Sequence, residues 1–152
     1  MKFIDSEAVR QVYGKKGNPK MTAKRLFNEG FQREDWGLML VDAMKFCLTL
    51  KYNQNGEFRK ALEDSKGKYI VEDQSTFTKK TPDTWGVKLQ GDSYAGPNLL
   101  GRLLMELRDN EKLEYTLPDD ALCFTQFLSK TTLNTIGICP EIQYNNSITV
   151  ED

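Results

Sequence analysis

The sequence contains no histidine, so any proton transfer must use carboxylates, lysines, tyrosines or water. Its three cysteines, Cys47, Cys123 and Cys139, are odd in number and lack the spacing of a metal site. We therefore expect reduced thiols in a cytoplasmic protein, with neither a metal nor a cofactor. No apolar run is long enough to span a membrane, and we expect no signal peptide.

The chain also lacks a strong charge of either sign. Its 152 residues carry a formal net charge of −1, and the isoelectric point is about 5.6. A broad surface for nucleic acid or for a membrane is therefore not expected. The lysine pairs Lys15–Lys16 and Lys79–Lys80 fit solvated loops better than phosphate contacts. The length suits one domain with its own core, and we predict a single domain over residues 1–152.

Helical patterns are what the sequence does contain. In the segment Asp83–Arg108, Pro97 suits the first turn of a helix. The leucines that follow form one apolar face: Leu99, Leu100, Leu103, Leu104 and Leu107. Other helix starts are predicted at Asp5–Glu7, Pro19, Glu34–Asp35 and Asn55. In the helix that is predicted to start at Glu34–Asp35, six residues recur at helical spacing and form one stripe: Trp36, Leu40, Ala43, Met44, Cys47 and Lys51.

Strand patterns are fewer. Lys68–Glu72 is predicted to be a strand, and residues 138–150 a hairpin that turns at two asparagines. Residues 91–97 are interpreted as a loop, and residues 122–129 are ambiguous between strand and helix. We predict an α+β fold, mostly helical, with a small antiparallel sheet made from the C-terminal hairpin and the Lys68–Glu72 strand.

A Trp-Gly pair, a glycine-rich gap and the pattern Asn-x-Leu-Gly-x-Leu-Leu-Met-Glu-x-Arg follow one another between residues 85 and 108. This block resembles the closing block of the NADAR, or YbiA-like, family. Members of that family are N-glycosidases that act on ribosides, including riboflavin precursors and ADP-ribosylated bases. The matching residues are Trp85, Gly86, Asn98, Leu100, Gly101, Leu104, Met105 and Arg108.

Two further parts of the chain match the family. Asp35, Trp36, Met44 and Lys51 match its helix that begins with Asp-Trp. Glu72 matches a glutamate that precedes the Trp-Gly pair, whereas Asp83 lies two residues before Trp85 and the family's aspartate lies three before.

The C-terminal residues resemble the opening block of the family. Lys2–Phe3 matches the end of that block, and the other matches are Ser129, Asn134, Glu141–Tyr144 and Val150–Glu151. The resemblance therefore implies a circular permutation of the kind found in T4-like bacteriophages. Permutation is tolerated when chain ends are neighbours at the surface, so we expect Glu151 to lie beside Lys2.

The resemblance implies three catalytic residues. Glu151 would be the principal carboxylate, which stabilises an oxocarbenium-like state or activates water. Asp83 would be a second acid or a ribose ligand. Lys2 would hold phosphate or leaving-group oxygens.

The same resemblance implies a set of substrate-binding residues. Aromatic rings would stack on the base, a carboxylate or lysine would contact ribose or phosphate, and an asparagine at a helix start would bond the sugar or help bind an anion. These residues are Phe3, Trp36, Lys51, Glu72, Trp85, Gly86 and Asn98.

Two functions fit these patterns. The first is an N-glycosidase that removes a ribosyl-phosphate or ADP-ribosyl group from a base or metabolite. The alternative is a catalytically inactive YbiA-like binding module of a bacteriophage, which binds a nucleotide or a host protein. In both cases the expected ligand is a small nucleotide or an ADP-ribosylated base, with nucleic acid contacted only through a modified base and no membrane partner.

Overall fold

The computed structural model describes residues 1–14 and 17–128. Their contacts group into two compact units. Unit 1 contains Met1–Met44 and the chain from Thr116 onward, and unit 2 contains Lys45–Tyr115. The single domain over residues 1–152 stays a prediction.

Unit 1 contains two short helices at its N-terminal end. Helix α1 spans Ser6–Tyr13, and the Asp5 side chain caps it by accepting a hydrogen bond from the Ala8 N–H at 2.8 Å. Helix α2 spans Pro19–Asn28 and begins with the predicted proline. A 3₁₀ helix, Cys123–Phe127, lies in the stretch that was predicted as either strand or helix. Helix α1 packs against α2 and against this 3₁₀ helix.

Helix α3 spans Trp36–Gln54, so it begins in unit 1 and ends in unit 2. Its start was predicted correctly, but its apolar stripe was partly wrong. The buried residues in this part of the helix are Met39, Ala43, Phe46 and Leu48, whereas Cys47 is exposed. Apolar residues occur all round this helix, so spacing alone could not select the face that is buried.

Unit 2 contains helices α4, Gly56–Asp64, and α5, Leu99–Asn110, which pack against each other. The Asn55 side chain caps α4 as predicted, accepting from the Phe58 N–H at 2.9 Å. The leucine face of α5 is confirmed at Leu103 and Leu107, which are buried. Pro97, however, lies before the helix, because Asn98 takes the cap position.

The sheet of unit 2 is a two-stranded antiparallel hairpin. Strand β1, Lys88–Gln90, pairs with β2, Ser93–Ala95, and Leu89 lies opposite Tyr94. The turn between them contains Gly91 at φ 61°, a left-handed conformation that glycine adopts without strain. The predicted loop over residues 91–97 is wrong at Ser93–Ala95, which form β2, whereas residues 91–92 and 96–97 lie outside regular structure as predicted.

The predicted strand at Lys68–Glu72 is also wrong. These residues form no regular strand, and an isolated parallel bridge joins Asp73 to Val87 instead. Side-chain hydrogen bonds hold this segment in place, as described below, and a β pattern cannot reveal them. The predicted mostly helical fold with a small antiparallel sheet is confirmed, although β1 and β2 form the sheet in the described residues and Lys68–Glu72 does not contribute to it.

Several predictions concern residues 129–152, which lie outside the described part of the chain. They are the C-terminal hairpin, the position of Glu151 and the circular permutation. Within residues 1–14 and 17–128, none of the helices combines the length and the apolar character that crossing a membrane requires.

Candidate functional site

The Trp-Gly turn, residues 83–86, is attached to the start of α5 by its main chain. Three of its carbonyls accept hydrogen bonds from N–H groups at the helix start, each 3.1 Å long: Thr84 from Leu99, Trp85 from Leu100 and Gly86 from Asn98. The first N–H groups of a helix have no partner within it, so these carbonyls satisfy them. The helix therefore holds the turn by its end, as the sequence predicted.

Asn98 joins the same helix start to the segment before the turn. It has left-handed backbone geometry, with φ 51°. Its side-chain Nδ2 donates to the Ile70 carbonyl at 2.9 Å, and its Oδ1 accepts from the Glu72 N–H at 3.0 Å. Gly101 lies beneath this contact, where an added Cβ would collide with the Ile70 carbonyl. These contacts place Glu72 against the helix and give Asn98 a positioning role.

Gly86 lies where two segments of chain come closest. A Cβ at this position would be 2.6 Å from both the Glu72 carbonyl oxygen and the Gln74 side chain. The next residue, Val87, donates its N–H to the Glu72 carbonyl at 2.8 Å. Only glycine fits here, so Gly86 brings Glu72 and the turn together.

Asp83 reaches the turn in spite of its altered spacing. Its Oδ1 accepts a hydrogen bond from the Trp85 N–H at 2.9 Å, a side-chain turn typical of aspartate. Oδ1 also accepts from Nε2 of Gln74 at 2.7 Å, while the Asp83 N–H donates to Oε1 of Gln74 at 2.9 Å. Asp83 is exposed, and Oδ2 makes no hydrogen bond within the described part of the chain. One carboxylate oxygen beside the half-exposed Trp85 is therefore available to a ligand.

A second group of predicted residues lies in unit 1, where aromatic rings surround Lys2. The Lys2 ammonium lies 3.9 Å from the centroid of the Phe27 ring, and 5.8 Å from those of Phe3 and Trp36. Such contacts attract a cation to the ring faces. Burial lowers the pKa of Lys2, because it disfavours the charged form.

Arg33 is a buried residue that is bonded to this group. Its guanidinium, with the side chain only 6% exposed, donates to Asp35 at 2.5 and 2.9 Å and to Asp120 at 2.7 Å. The Arg33 main-chain N–H donates to the Lys2 carbonyl at 3.1 Å. The hydrogen bond from Arg33 lowers the pKa of Asp35. Arg33 thus connects the chain at Lys2 to the start of α3.

Lys51 makes a simpler contact within unit 2. Its ammonium lies 4.5 Å from the centroid of the Phe58 ring on α4, and the residue is exposed. This contact is typical of a lysine whose stem covers an apolar surface.

Comparison with known proteins gives one result. Residues 1–111 match the model of the NADAR domain family. The chain belongs to that family. No curated protein and no solved structure gives a significant match to it. The NADAR domain family is associated with N-glycosidase activity on ADP-ribose-related compounds, which indicates ligands of the ADP-ribose type.

In this NADAR domain the predicted site residues fall into two groups. Unit 1 brings together Lys2, Phe3 and Trp36. Unit 2 brings together residues around the Trp-Gly turn: Glu72, Asp83, Trp85, Gly86 and Asn98. Glu151 lies outside the described residues, and Lys51 contacts Phe58.

Sequence reasoning missed two residues that hold these groups. Gln74 and Arg33 are both buried and both bond to predicted site residues or to their neighbours. A single glutamine carries no signal in one sequence, but the arginine lies two residues before Asp35, and that spacing could have suggested an ion pair. Among the described residues of the NADAR domain, no cluster of three or more Cys, Asp or Glu side chains could hold a metal ion.

Proposed function

We propose that this NADAR-domain protein is an N-glycosidase that hydrolyses the N-glycosidic bond of a ribosyl-phosphate or of an ADP-ribosylated base. The observation that supports the proposal most directly is the Asp83 carboxylate, fixed through Oδ1 beside Trp85 and exposed at Oδ2. Because the Trp85 main-chain N–H donates to Asp83, one turn presents both a carboxylate and an aromatic residue, the two kinds of group that a ribosylated base requires. The ring stacks on the base, and the carboxylate contacts the sugar.

The reaction replaces the C1′–N bond of the riboside by a C1′–O bond from water. The electron pair of the broken bond goes to the base nitrogen, which leaves with a proton, and positive charge develops on the ribose in between. A carboxylate near C1′ stabilises that charge or takes the proton from water. In this proposal Glu151 is that carboxylate, and Asp83 or Glu72 contacts the ribose or protonates the base.

The remaining predicted residues bind substrate in the same proposal. Lys2 and Lys51 contact phosphate or leaving-group oxygens, and Phe3 and Trp36 contact the base. Asn98 acts by positioning Glu72, since both ends of its amide bond to the main chain. The circular permutation, which would bring Glu151 beside Lys2, is part of the proposal.

The test is incubation of the protein with ADP-ribosylated guanosine and with riboflavin intermediates, followed by chromatography of the released base. Glu151→Gln and Asp83→Asn should each lower the release rate about 100-fold, the contribution expected of one acid or base group. Asp152→Asn is the control for Glu151→Gln, because it removes the neighbouring carboxylate. Asp92→Asn is the control for Asp83→Asn, because it removes another carboxylate of unit 2. Equal release by wild type and Glu151→Gln would exclude the assigned role of Glu151.

A second candidate is a NADAR module that binds an ADP-ribose-type ligand without cleaving it. The observation that favours it concerns the side-chain amide of Asn98, which was expected to contact the sugar. This amide already donates one hydrogen bond to the main chain and accepts another from it. Isothermal titration with ADP-ribose separates the two functions. Binding by a wild-type protein that releases no base from any of the substrates supports the binding module.

A further inference from the structure

Gln74 is a buried polar residue that packs against the Trp-Gly turn and that the proposed mechanism has not yet used. It is only 3% exposed, and its main-chain N–H donates to the Val87 carbonyl at 2.8 Å. Its side chain lies against Gly86, where a Cβ would come within 2.6 Å of it. Packing on the glycine and a main-chain hydrogen bond therefore hold Gln74 in one place.

The orientation of the Gln74 amide follows from its partners. A main-chain N–H can only donate, so the atom that receives the Asp83 N–H at 2.9 Å must be the amide oxygen, Oε1. The other end of the amide, Nε2, then donates to Oδ1 of Asp83 at 2.7 Å. Because the two hydrogen bonds are reciprocal, a flipped amide would lose both of them.

This arrangement distinguishes the two oxygens of Asp83. Oδ1 accepts two N–H donors, one from Gln74 and one from Trp85. Two donors directed at one oxygen leave no room for a proton there, so any proton that Asp83 carries must be on Oδ2. Oδ2 is then the atom that meets a ligand, as an acceptor from a ribose hydroxyl or as a donor to the leaving base.

We infer that Gln74 is a positioning residue that fixes the Asp83 carboxyl so that Oδ2 alone faces the ligand. The inference rests on the proposed function, since it assigns to Asp83 a contact with substrate. It adds a residue to the site and names the reacting atom.

The test uses the substitution Gln74→Glu, which keeps the shape of the side chain. While its new carboxyl group is protonated, it donates to Asp83 as the amide does. Once it is ionised, two carboxylates face each other and the contact becomes repulsive. Other charged groups on the surrounding segments are Glu72 and Asp73, which precede Gln74, and Lys88, which interacts with Asp73 and donates to the Phe77 carbonyl. Gln90→Glu, an exposed glutamine in the same unit, controls for their background effect on the pH profile.

We expect kcat for base release by Gln74→Glu to fall about tenfold or more at pH 8, the loss of one hydrogen bond to a charged group. At pH 5 the rate should recover towards that of wild type, because burial and the facing Asp83 carboxylate favour the protonated form of the new carboxyl group. Gln90→Glu should follow wild type throughout. Gln74→Met keeps the volume but has no donor, so its kcat should be low at both pH values. In each variant KM should change less than kcat.

The outcomes separate the inference from the proposed function. Loss of activity by Gln74→Glu that is equal at pH 5 and pH 8 would show a purely structural role and overturn the inference. Absence of base release by wild type would overturn the proposed function alone. In that case the same pH comparison, made on the affinity for ADP-ribose by calorimetry, decides the role of Gln74. Absence of ADP-ribose binding as well would overturn both.

Discussion

The two units hold their predicted site residues by different means. In unit 2, main-chain hydrogen bonds attach the Trp-Gly turn to α5 and glycines permit the close approach of the chain, with the Asn98 and Gln74 side chains bonded inside that contact. In unit 1, side chains do the same work, with aromatic rings around Lys2 and an arginine between two carboxylates. The first arrangement should be sensitive to added atoms, and the second to removed groups. Three substitution experiments test this contrast.

The largest effect is expected from Gly101→Ala. The added methyl would collide with the Ile70 carbonyl and with the Asn98 amide, and main chain cannot easily move. We expect the free energy of unfolding to fall by about 3 kcal/mol, at the upper end of overpacking costs. Urea denaturation measures this change.

Gly56→Ala is the matched control, because it is also helical, in the same unit, and has no atom within 4 Å of the added methyl. It should leave stability unchanged or raise it by up to about 1 kcal/mol, since alanine favours helix. Equal destabilisation by both substitutions would show that the close approach at Gly101 is unimportant.

A smaller loss is expected from Arg33→Met, which keeps the apolar stem but removes the guanidinium. Stability should fall by about 1 kcal/mol at pH 7, because a buried guanidinium loses its hydrogen bonds to two carboxylates that are themselves about half exposed. Arg25→Met serves as the control. Its pair with Glu29 joins side chains that are 52% and 43% exposed, so the expected change is below about 0.5 kcal/mol.

The effect of Arg33→Met should also depend on pH. The hydrogen bond from Arg33 lowers the pKa of Asp35 in the folded state. A lowered carboxyl pKa stabilises the fold above the unfolded value of about 3.9, and this contribution is lost as the pH falls through the folded value. The difference between wild type and Arg33→Met should therefore shrink as the pH falls below the unfolded carboxyl value and the Asp35 carboxyl takes up its proton. A difference that does not shrink as the pH falls from 7 into this acid range would contradict the ion pair.

The smallest effect concerns the titration of Lys2. Burial lowers its pKa from the ordinary 10.5, whereas the hydrogen bond to Asp64 raises the pKa of Lys60. An NMR titration of the lysine side chains should find that Lys2 loses its proton at lower pH than Lys60. Because the folded state binds that proton less well than the unfolded state, stability gains from Lys2 as the pH rises towards 10.5.

Phe27→Ala should return the Lys2 titration towards the ordinary value, since it removes the nearest ring, at 3.9 Å. Phe31→Ala, which removes an exposed ring of the same unit, should leave it in place. A Lys2 titration that Phe27→Ala leaves unchanged would mean that the ring does not shield the amine.

Local chemistry made the helix starts predictable. Asp5 and Asn55 cap their helices because a short polar side chain can reach the first free N–H groups, whatever the rest of the chain does. The start of α3 was predictable from the acidic residues before it, and the leucine face of α5 from its helical spacing. The buried face of α3 did not follow, because an almost continuous apolar helix has several equivalent faces.

Contacts between distant residues decided what the sequence could not predict. Lys68–Glu72 has the composition of a strand, but the Asn98 side chain takes two of its main-chain groups. The hairpin of β1 and β2 had a usable signal, a Gly-Asp pair between Leu89 and Tyr94, although a loop was predicted there. Gln74 had no signal, since its role arises only when Asp83 lies next to it in space.

The three hydrogen bonds between the Trp-Gly turn and the start of α5 have a consequence for motion. The turn cannot swing outward as a flap without exposing the amides of Asn98, Leu99 and Leu100 to solvent. Their hydrogen exchange with water therefore reports how often the turn opens. Slow exchange at these amides would mean that the Trp-Gly turn is already in place before a ligand binds. Any opening that admits a ligand would then involve another part of the molecule.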